Sequence, residues 1–244
     1  MSARGRFTGI GVGPGPAGLI PVAAVAALAE ADVIYLPRAR SSEVSAARQC
    51  LAGLGLAPEK MREVEFDMER DRDALAANYG RMAEAVAAEL DAGRHVAYLT
   101  IGDSMTYSTY GYLLSALRAR RPGLEHRTFP GVTSFAATAA ALSWPLGEGK
   151  ERILILPCPD DVAALRADIE SHDIVVLMKI GARLPAVLTL LADMDIARHC
   201  AFARRIGLPG ELLCDDVTRL DADSASGYLA TLLIRRQARV ERPL

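Results

Sequence analysis

The sequence lacks a block of lysine and arginine, lacks a C-x-x-C pair, and lacks any apolar run approaching the roughly 20 residues that span a bilayer. The first absence removes the electrostatic footprint expected of a nucleic-acid partner. The 28 basic residues face 30 acidic ones for a net charge of −2, and no basic stripe is interleaved with aromatics. The second absence, with Cys50, Cys158, Cys200 and Cys214 far apart and only four histidines, suggests neither a metal site nor a disulfide framework. The cysteines read as reduced, mostly buried small residues. Met1 to Arg6 carry charge but lead into no secretory apolar core. A cytoplasmic chain with no membrane partner is therefore the simplest expectation.

What is present is an alternation of short β-branched runs with alanine-rich helical stretches, which predicts an α/β fold with largely parallel pairing in its first half. Strands are expected at Phe7–Val12, Val33–Leu36, Arg62–Phe66 and His95–Thr100. Helices are expected at Pro21–Ala29, at Arg72–Asp91 (ended by Gly93) and at roughly Tyr110–Ala119. Arg121-Pro122-Gly123 is a strong turn signal, and it puts a linker near Arg120–Glu125, between an N-terminal domain of residues 1–122 and a C-terminal domain of residues 123–244. Beyond it, strands are expected at Glu125–Phe129, Ile153–Leu156, Ile174–Met178, Ala201–Ala203 and Tyr228–Ile234. Helices are expected at Ala136–Leu142, Asp160–Glu170 and Leu184–Asp193, with a turn or hairpin over Gly207–Asp216.

Three glycine-containing segments, each after an expected strand, describe a small-molecule site built from strand-end loops. The first contains a literal G-x-G-x-x-G at Gly13, Gly15 and Gly18, the placement of a dinucleotide fingerprint. Pro14 and Pro16, however, remove backbone donors that a pyrophosphate needs, so a ligand without phosphates suits the loop better. The second, Tyr98-Leu99-Thr100-Ile101-Gly102-Asp103, places an acid at a strand's carboxyl end, where open α/β sheets bind ligands. Asp103 is the strongest polar candidate there, as a ligand acceptor or as the cap of the next helix. The third, Pro130-Gly131-Val132-Thr133-Ser134-Phe135, opens a helix, where capping and ligand contact are again both available.

Together the segments resemble the tetrapyrrole methylase family. The resemblance runs through Gly11-Val12-Gly13-Pro14-Gly15, through Gly102-Asp103 to Tyr107-Ser108-Thr109, and through Pro130-Gly131-Val132-Thr133-Ser134, in order and at specific separations. Val176 to Pro185 and Gly227-Tyr228-Leu229-Ala230-Thr231-Leu232 further resemble the branch that methylates C20 of precorrin-2. The chain departs from the family in two places. Pro16-Ala17-Gly18-Leu19-Ile20-Pro21 stands where Asp-Pro-Glu-Leu-Leu-Thr is usual, and Ser104 stands where a proline usually follows the central Gly-Asp.

The resemblance implies two unequal α/β domains, a homodimer, and S-adenosyl-L-methionine (product S-adenosyl-L-homocysteine) held in the cleft between the domains. It implies cofactor contacts from Pro14, Gly102, Asp103, Thr106, Ser134, Phe135, Met178, Ala203 and Thr231. It also implies a small-molecule tetrapyrrole substrate rich in carboxylates, for which Arg38, Arg40, Lys179 and Arg183 are the candidate cations. No catalytic nucleophile or general base is assigned, and no metal is required. The competing readings are methylation of another tetrapyrrole position or related substrate, an NAD(P)-dependent oxidoreductase built on the Gly13/Gly15/Gly18 pattern, and a non-catalytic cofactor sensor.

Overall fold

The computed structural model describes residues 5–39, 44–66, 72–221 and 226–239. The chain divides into two compact units at Thr133/Ser134. The first contains β1 (Phe7–Gly11), α1 (Val22–Glu30), β2 (Val33–Ala39), α2 (Ala46–Cys50), β3 (Met61–Phe66), α3 (Arg72–Asp91), β4 (Val96–Thr100), α4 (Tyr110–Arg120) and β5 (His126–Phe129). Its five strands form one sheet in the order β3-β2-β4-β1-β5, every neighbouring pair parallel. Parallel sheets need both faces covered, and the central strands β1 and β4 are accordingly buried at every position. Alternation sends Phe7, Val33, Tyr35 and Tyr98 into a cluster with Tyr79, Val86 and Leu90 of α3 and Tyr110, Leu113 and Leu117 of α4. Ile10, Ile34, Leu36 and Leu99, all fully buried, take the opposite face.

The Arg121-Pro122-Gly123 turn ends α4 as expected, yet it lies inside the first unit and does not act as a linker. Beyond it the chain pairs β5 with β1 in register Phe7↔His126, so the backbone of residues 126–129 is satisfied by the first sheet. The turn signal marks a change of direction, and only the strand pairing decides which unit the chain has entered.

Glycine in the middle of β1 has a packing cause. A Cβ on Gly9 would lie 2.1 Å from the Tyr110 ring. The ring crosses the strand there, and its hydroxyl reaches Thr128 Oγ1 at 2.6 Å on β5, the residue paired with Gly9. The phenol is buried and satisfied because the strand beneath it has no side chain.

The second unit contains α5 (Ser134–Ala141), β6 (Ile153–Pro157), α6 (Leu165–Ser171), β7 (Ile174–Met178), α7 (Leu184–Asp193), β8 (Ala201–Arg204), β9 (Leu212–Cys214) and β10 (Ala230–Arg235). Its sheet runs β6-β7-β10-β8-β9, with β6 parallel to β7 and the remaining pairs antiparallel. The strand expected at Tyr228 begins two residues later, because Leu229 takes a left-handed φ of 51° before the ladder starts. β10 is central and buried throughout. Leu232 and Ile234 face a core with Leu165, Ile169, Leu184, Val187 and Phe202. Leu233 faces a smaller cluster with Val176, Ala201, Phe135 and Trp144.

Gly9→Ala is expected to cost about 1–3 kcal/mol of stability through overpacking, measured by urea denaturation. In the cycle with Tyr110→Ala the two losses should be clearly non-additive, since removing the ring makes room for the methyl.

Candidate functional site

At the carboxyl ends of β1, β4 and β5, three loops meet backbone to backbone. Gly13 and Gly102 form an antiparallel bridge, Gly13 N–H donating to the Gly102 carbonyl at 3.1 Å and Gly102 N–H donating back at 2.7 Å. The third loop closes on them so tightly that a Cβ on Gly131 would sit 2.1 Å from the Gly102 carbonyl oxygen, and one on Gly11 would sit 2.6 Å from the Gly131 nitrogen. These contacts are with backbone, which cannot swing away, so a side chain at either position forces the loops apart. In sequence, the glycines already point to three loops on one site. The structure adds that Gly11 and Gly131 are spacers between loops.

Asp103 fastens this arrangement. Its Oδ1 accepts the Met105 N–H at 2.9 Å, the Thr106 N–H at 2.9 Å and the Thr106 hydroxyl at 2.8 Å, while its Oδ2 accepts the Gly131 N–H at 3.0 Å. Burial alone would raise the Asp103 pKa. The hydrogen bonds from Gly131, Met105 and Thr106 outweigh it and hold the carboxyl below its ordinary 3.8. Asp103 therefore stays ionised at neutral pH with most of its acceptor capacity spent on the protein. Thr106 is drawn into the same turn.

Ser104, in place of the usual proline, is fully buried and donates its hydroxyl to the Phe129 carbonyl at 2.9 Å. A proline would supply rigidity without a donor. The serine instead ties the second loop to the end of β5.

The dinucleotide pattern loses its structural meaning. Gly18, whose role would be close packing of helix on strand, has open space within 4 Å of where a Cβ would stand. It lies in a 3-10 turn, Ala17–Leu19, and α1 starts only at Val22 behind Pro21, with no side-chain cap. Pro14, between Gly13 and Gly15, is buried.

In the second unit, strand register gathers four of the expected residues. Thr231 on β10 pairs with Met178 on β7 and with Ala203 on β8. Its hydroxyl donates to Ser134 Oγ at 2.8 Å, and that hydroxyl in turn lies 3.9 Å from Met178 Sδ. Phe135, the next residue of α5, packs on the Val176–Ala201–Leu233 cluster. Its bulk is thus committed to core on at least one side, which residue type alone did not decide.

The expected substrate cations fare unevenly. Arg38 is bound on β3's side by Glu65 at 3.1 Å and Glu63 at 3.6 Å, and Glu63 also meets Arg48 at 3.3 Å. Arg40 lies outside the described residues. Arg183 gives its guanidinium to Asp160 at 2.6 Å and to the Ile180 and Lys179 carbonyls at 3.1 and 2.8 Å, so it mainly braces the turn into α7. Lys179 has no ion-pair partner among the described residues and adopts a left-handed φ of 53°. It is exposed as a residue, yet desolvation of its ammonium lowers its pKa. The next glycine, Gly181, bridges Gly227, where an added Cβ would strike the Gly181 carbonyl at 2.1 Å. This second backbone clasp joins two glycines 46 positions apart, a pairing that neither segment signals by itself.

The family model described as Tetrapyrrole (Corrin/Porphyrin) Methylases matches residues 6–220. The chain is 30% identical over 234 residues to the cobalt-precorrin-2 C(20)-methyltransferase of Salmonella typhimurium, covering 96% of this chain and 98% of that protein. It is 34% identical over 242 residues to a precorrin-2 C(20)-methyltransferase from a Sinorhizobium species, covering 94% and 95%. Among solved structures, the uroporphyrin-III C-methyl transferase of Thermus thermophilus complexed with S-adenyl homocysteine superposes with a TM-score of 0.64 at 20% identity, covering 95% of this chain and 92% of that one.

Asp103→Asn places an amide donor against at least one backbone N–H and is expected to destabilise the first unit by about 1–3 kcal/mol, measured by chemical denaturation. The carboxylate's share of stability is complete above its unfolded pKa of 3.8 and is lost as pH falls through the lower folded value. The variant's stability should accordingly fall less than the parent's between pH 5 and pH 2.

Proposed function

The chain belongs to the tetrapyrrole (corrin/porphyrin) methylases, and on that premise we propose that it transfers the methyl group of S-adenosylmethionine to C20 of precorrin-2 or its cobalt-loaded counterpart. The observation that carries this reading is near full-length similarity, in both directions, to proteins named for that reaction. Fold likeness alone would not choose a substrate, since one fold serves many.

The residues present fit the cofactor. Gly102, at φ 74°, has no heavy atom within 4 Å of where a Cβ would stand, so a ligand can approach the backbone closely there. When bound, S-adenosylmethionine supplies a sulfonium methyl that a carbon nucleophile can attack directly. The first unit's share is the loop of Pro14 with Gly102, Asp103 and Thr106. The ionised carboxylate of Asp103 lends negative charge near a cationic ligand while its hydrogen bonds fix the loops. The second unit's share is the Ser134–Thr231 hydroxyl pair, the Met178 thioether, Ala203 and the Phe135 ring. Arg38, Arg40, Lys179 and Arg183 stand as the cations for the substrate's carboxylates; among the described three, Lys179 has no ion pair, while Arg38 and Arg183 would share their guanidiniums with the carboxylates they already hold.

The reaction forms a bond from C20 to the methyl carbon and breaks the sulfur–methyl bond, leaving the electron pair on sulfur. A proton then leaves C20. Orientation of donor and acceptor supplies most of what the protein must provide. A homodimer, a cytoplasmic location, and division of labour between a substrate-binding first unit and a cofactor-sharing second unit belong to the same proposal. No described helix is long and apolar enough to cross a membrane.

Calorimetric titration should show saturable binding of S-adenosylhomocysteine and none of NADPH; the reverse pattern would overturn the methylase reading. Thr231→Val, which removes the donor to Ser134, should weaken S-adenosylhomocysteine about 3- to 10-fold without unfolding the chain. Turnover is then read as S-adenosylhomocysteine released with precorrin-2 as acceptor, and the methyl position is assigned by NMR.

A further inference from the structure

We propose that the second unit carries a separate binding site for a small oxyanion, a phosphate or a short carboxylate, at the end of β10 remote from Thr231. The site is a cavity of about 200 Å³ whose walls include Trp144, Arg198, His199, Arg235 and Arg239. Thr231 and Arg235 lie four residues apart on one strand, so about 13 Å separates the cavity from the hydroxyl pair at Ser134.

Its position follows from the topology. β8 runs antiparallel to β10 with Leu233 opposite Ala201, so the residues preceding Ala201, including Arg198 and His199, gather around the carboxyl end of β10. α5 starts at Ser134 and ends at Ala141, and the chain beyond it delivers Trp144 to the same place. The Arg235 guanidinium lies over the indole ring at 5.0 Å. Sequence-distant segments thus converge three guanidiniums and an imidazole on one small space.

The donors there are not all used. Arg235 is only 5% exposed. It spends one terminal nitrogen on Glu151 and the other on the Pro145 carbonyl at 3.0 Å, while its Nε is buried with no partner. His199 Nδ1 is likewise buried and unpartnered. Glu148 holds Arg239 through two contacts, at 2.7 and 3.1 Å. Arg198 has no ion pair among the described residues, and the carboxylate it influences, Asp216, is engaged by the Thr218 N–H at 3.0 Å and hydroxyl at 2.6 Å. Two buried nitrogens without protein partners, Arg235 Nε as a donor and His199 Nδ1 as one when it carries the ring proton, beside a guanidinium with no ion pair among the described residues, match what an oxyanion offers, namely several acceptor lone pairs and negative charge. The volume falls below the roughly 300–1,000 Å³ of sites for larger ligands, which excludes a nucleotide or a macrocycle as occupant.

The test uses the full chain and measures its thermal midpoint and heats of binding against sodium phosphate and sodium succinate, with sodium chloride at matched ionic strength as reference. A saturable rise with either anion supports the site, and the anion that saturates identifies the ligand chemistry. Arg198→Glu, an exposed position, should lower that anion's affinity about tenfold or more, and Arg198→Lys should retain most of it. S-adenosylhomocysteine binding should be equal in all three proteins, which separates this site from the methylase reading. The proposal is overturned if neither anion saturates in the tens of millimolar, or if Arg198→Glu binds it as tightly as the parent.

Discussion

The first unit's site depends on backbone lying against backbone. Parallel strands β1, β4 and β5 deliver their carboxyl ends to one edge of the sheet, and three loops then compete for the same few ångströms of space. Absent side chains at Gly11 and Gly131 let them share it, and one carboxylate, Asp103, joins the second loop to the third. A network of this kind is stiff because backbone amides have no rotamers to escape into. A surface so fixed is suited to a reaction whose main demand is alignment.

The second unit reaches a comparable end by different means. Its gathering point is written in strand register: Thr231 between Met178 and Ala203, with Ser134 brought across by α5. Side-chain hydroxyls and a thioether do there what amides and glycines do in the first unit. The Gly181–Gly227 bridge repeats the backbone clasp on a smaller scale, and the left-handed turns at Lys179 and Leu229 sit beside it.

Much of the fold was legible because its signals are local. α3 and α7 carry their own length and ends, and β1, β2 and β4 read as apolar runs because both faces of a parallel sheet are covered. α2, five residues long, escaped notice since it is too short to show a period of 3.6. The unit boundary was placed about ten residues early for a related reason. A proline–glycine turn is visible in sequence, whereas β5's hydrogen bonds to β1 join positions more than a hundred residues apart. The site divided along the same line. Loops rich in glycine announced themselves, while the destinations of side chains did not: Arg183 and Arg38 look free in sequence and are committed to carboxylates or carbonyls in the structure.

The order of strands in the second sheet bears on how the chain is made. β10 is the last described strand in sequence but the middle one in space, with β6-β7 on one side and β8-β9 on the other. Until residues 230–235 leave the ribosome those two pairs have no strand to join them, and each shows an open edge to solvent or to a chaperone. The first unit, whose strands are all complete by residue 129, can form without waiting. Synthesis of β10 is thus the committing event for the second sheet, and a ribosome stalled shortly before it would hold a finished half attached to two orphan ribbons.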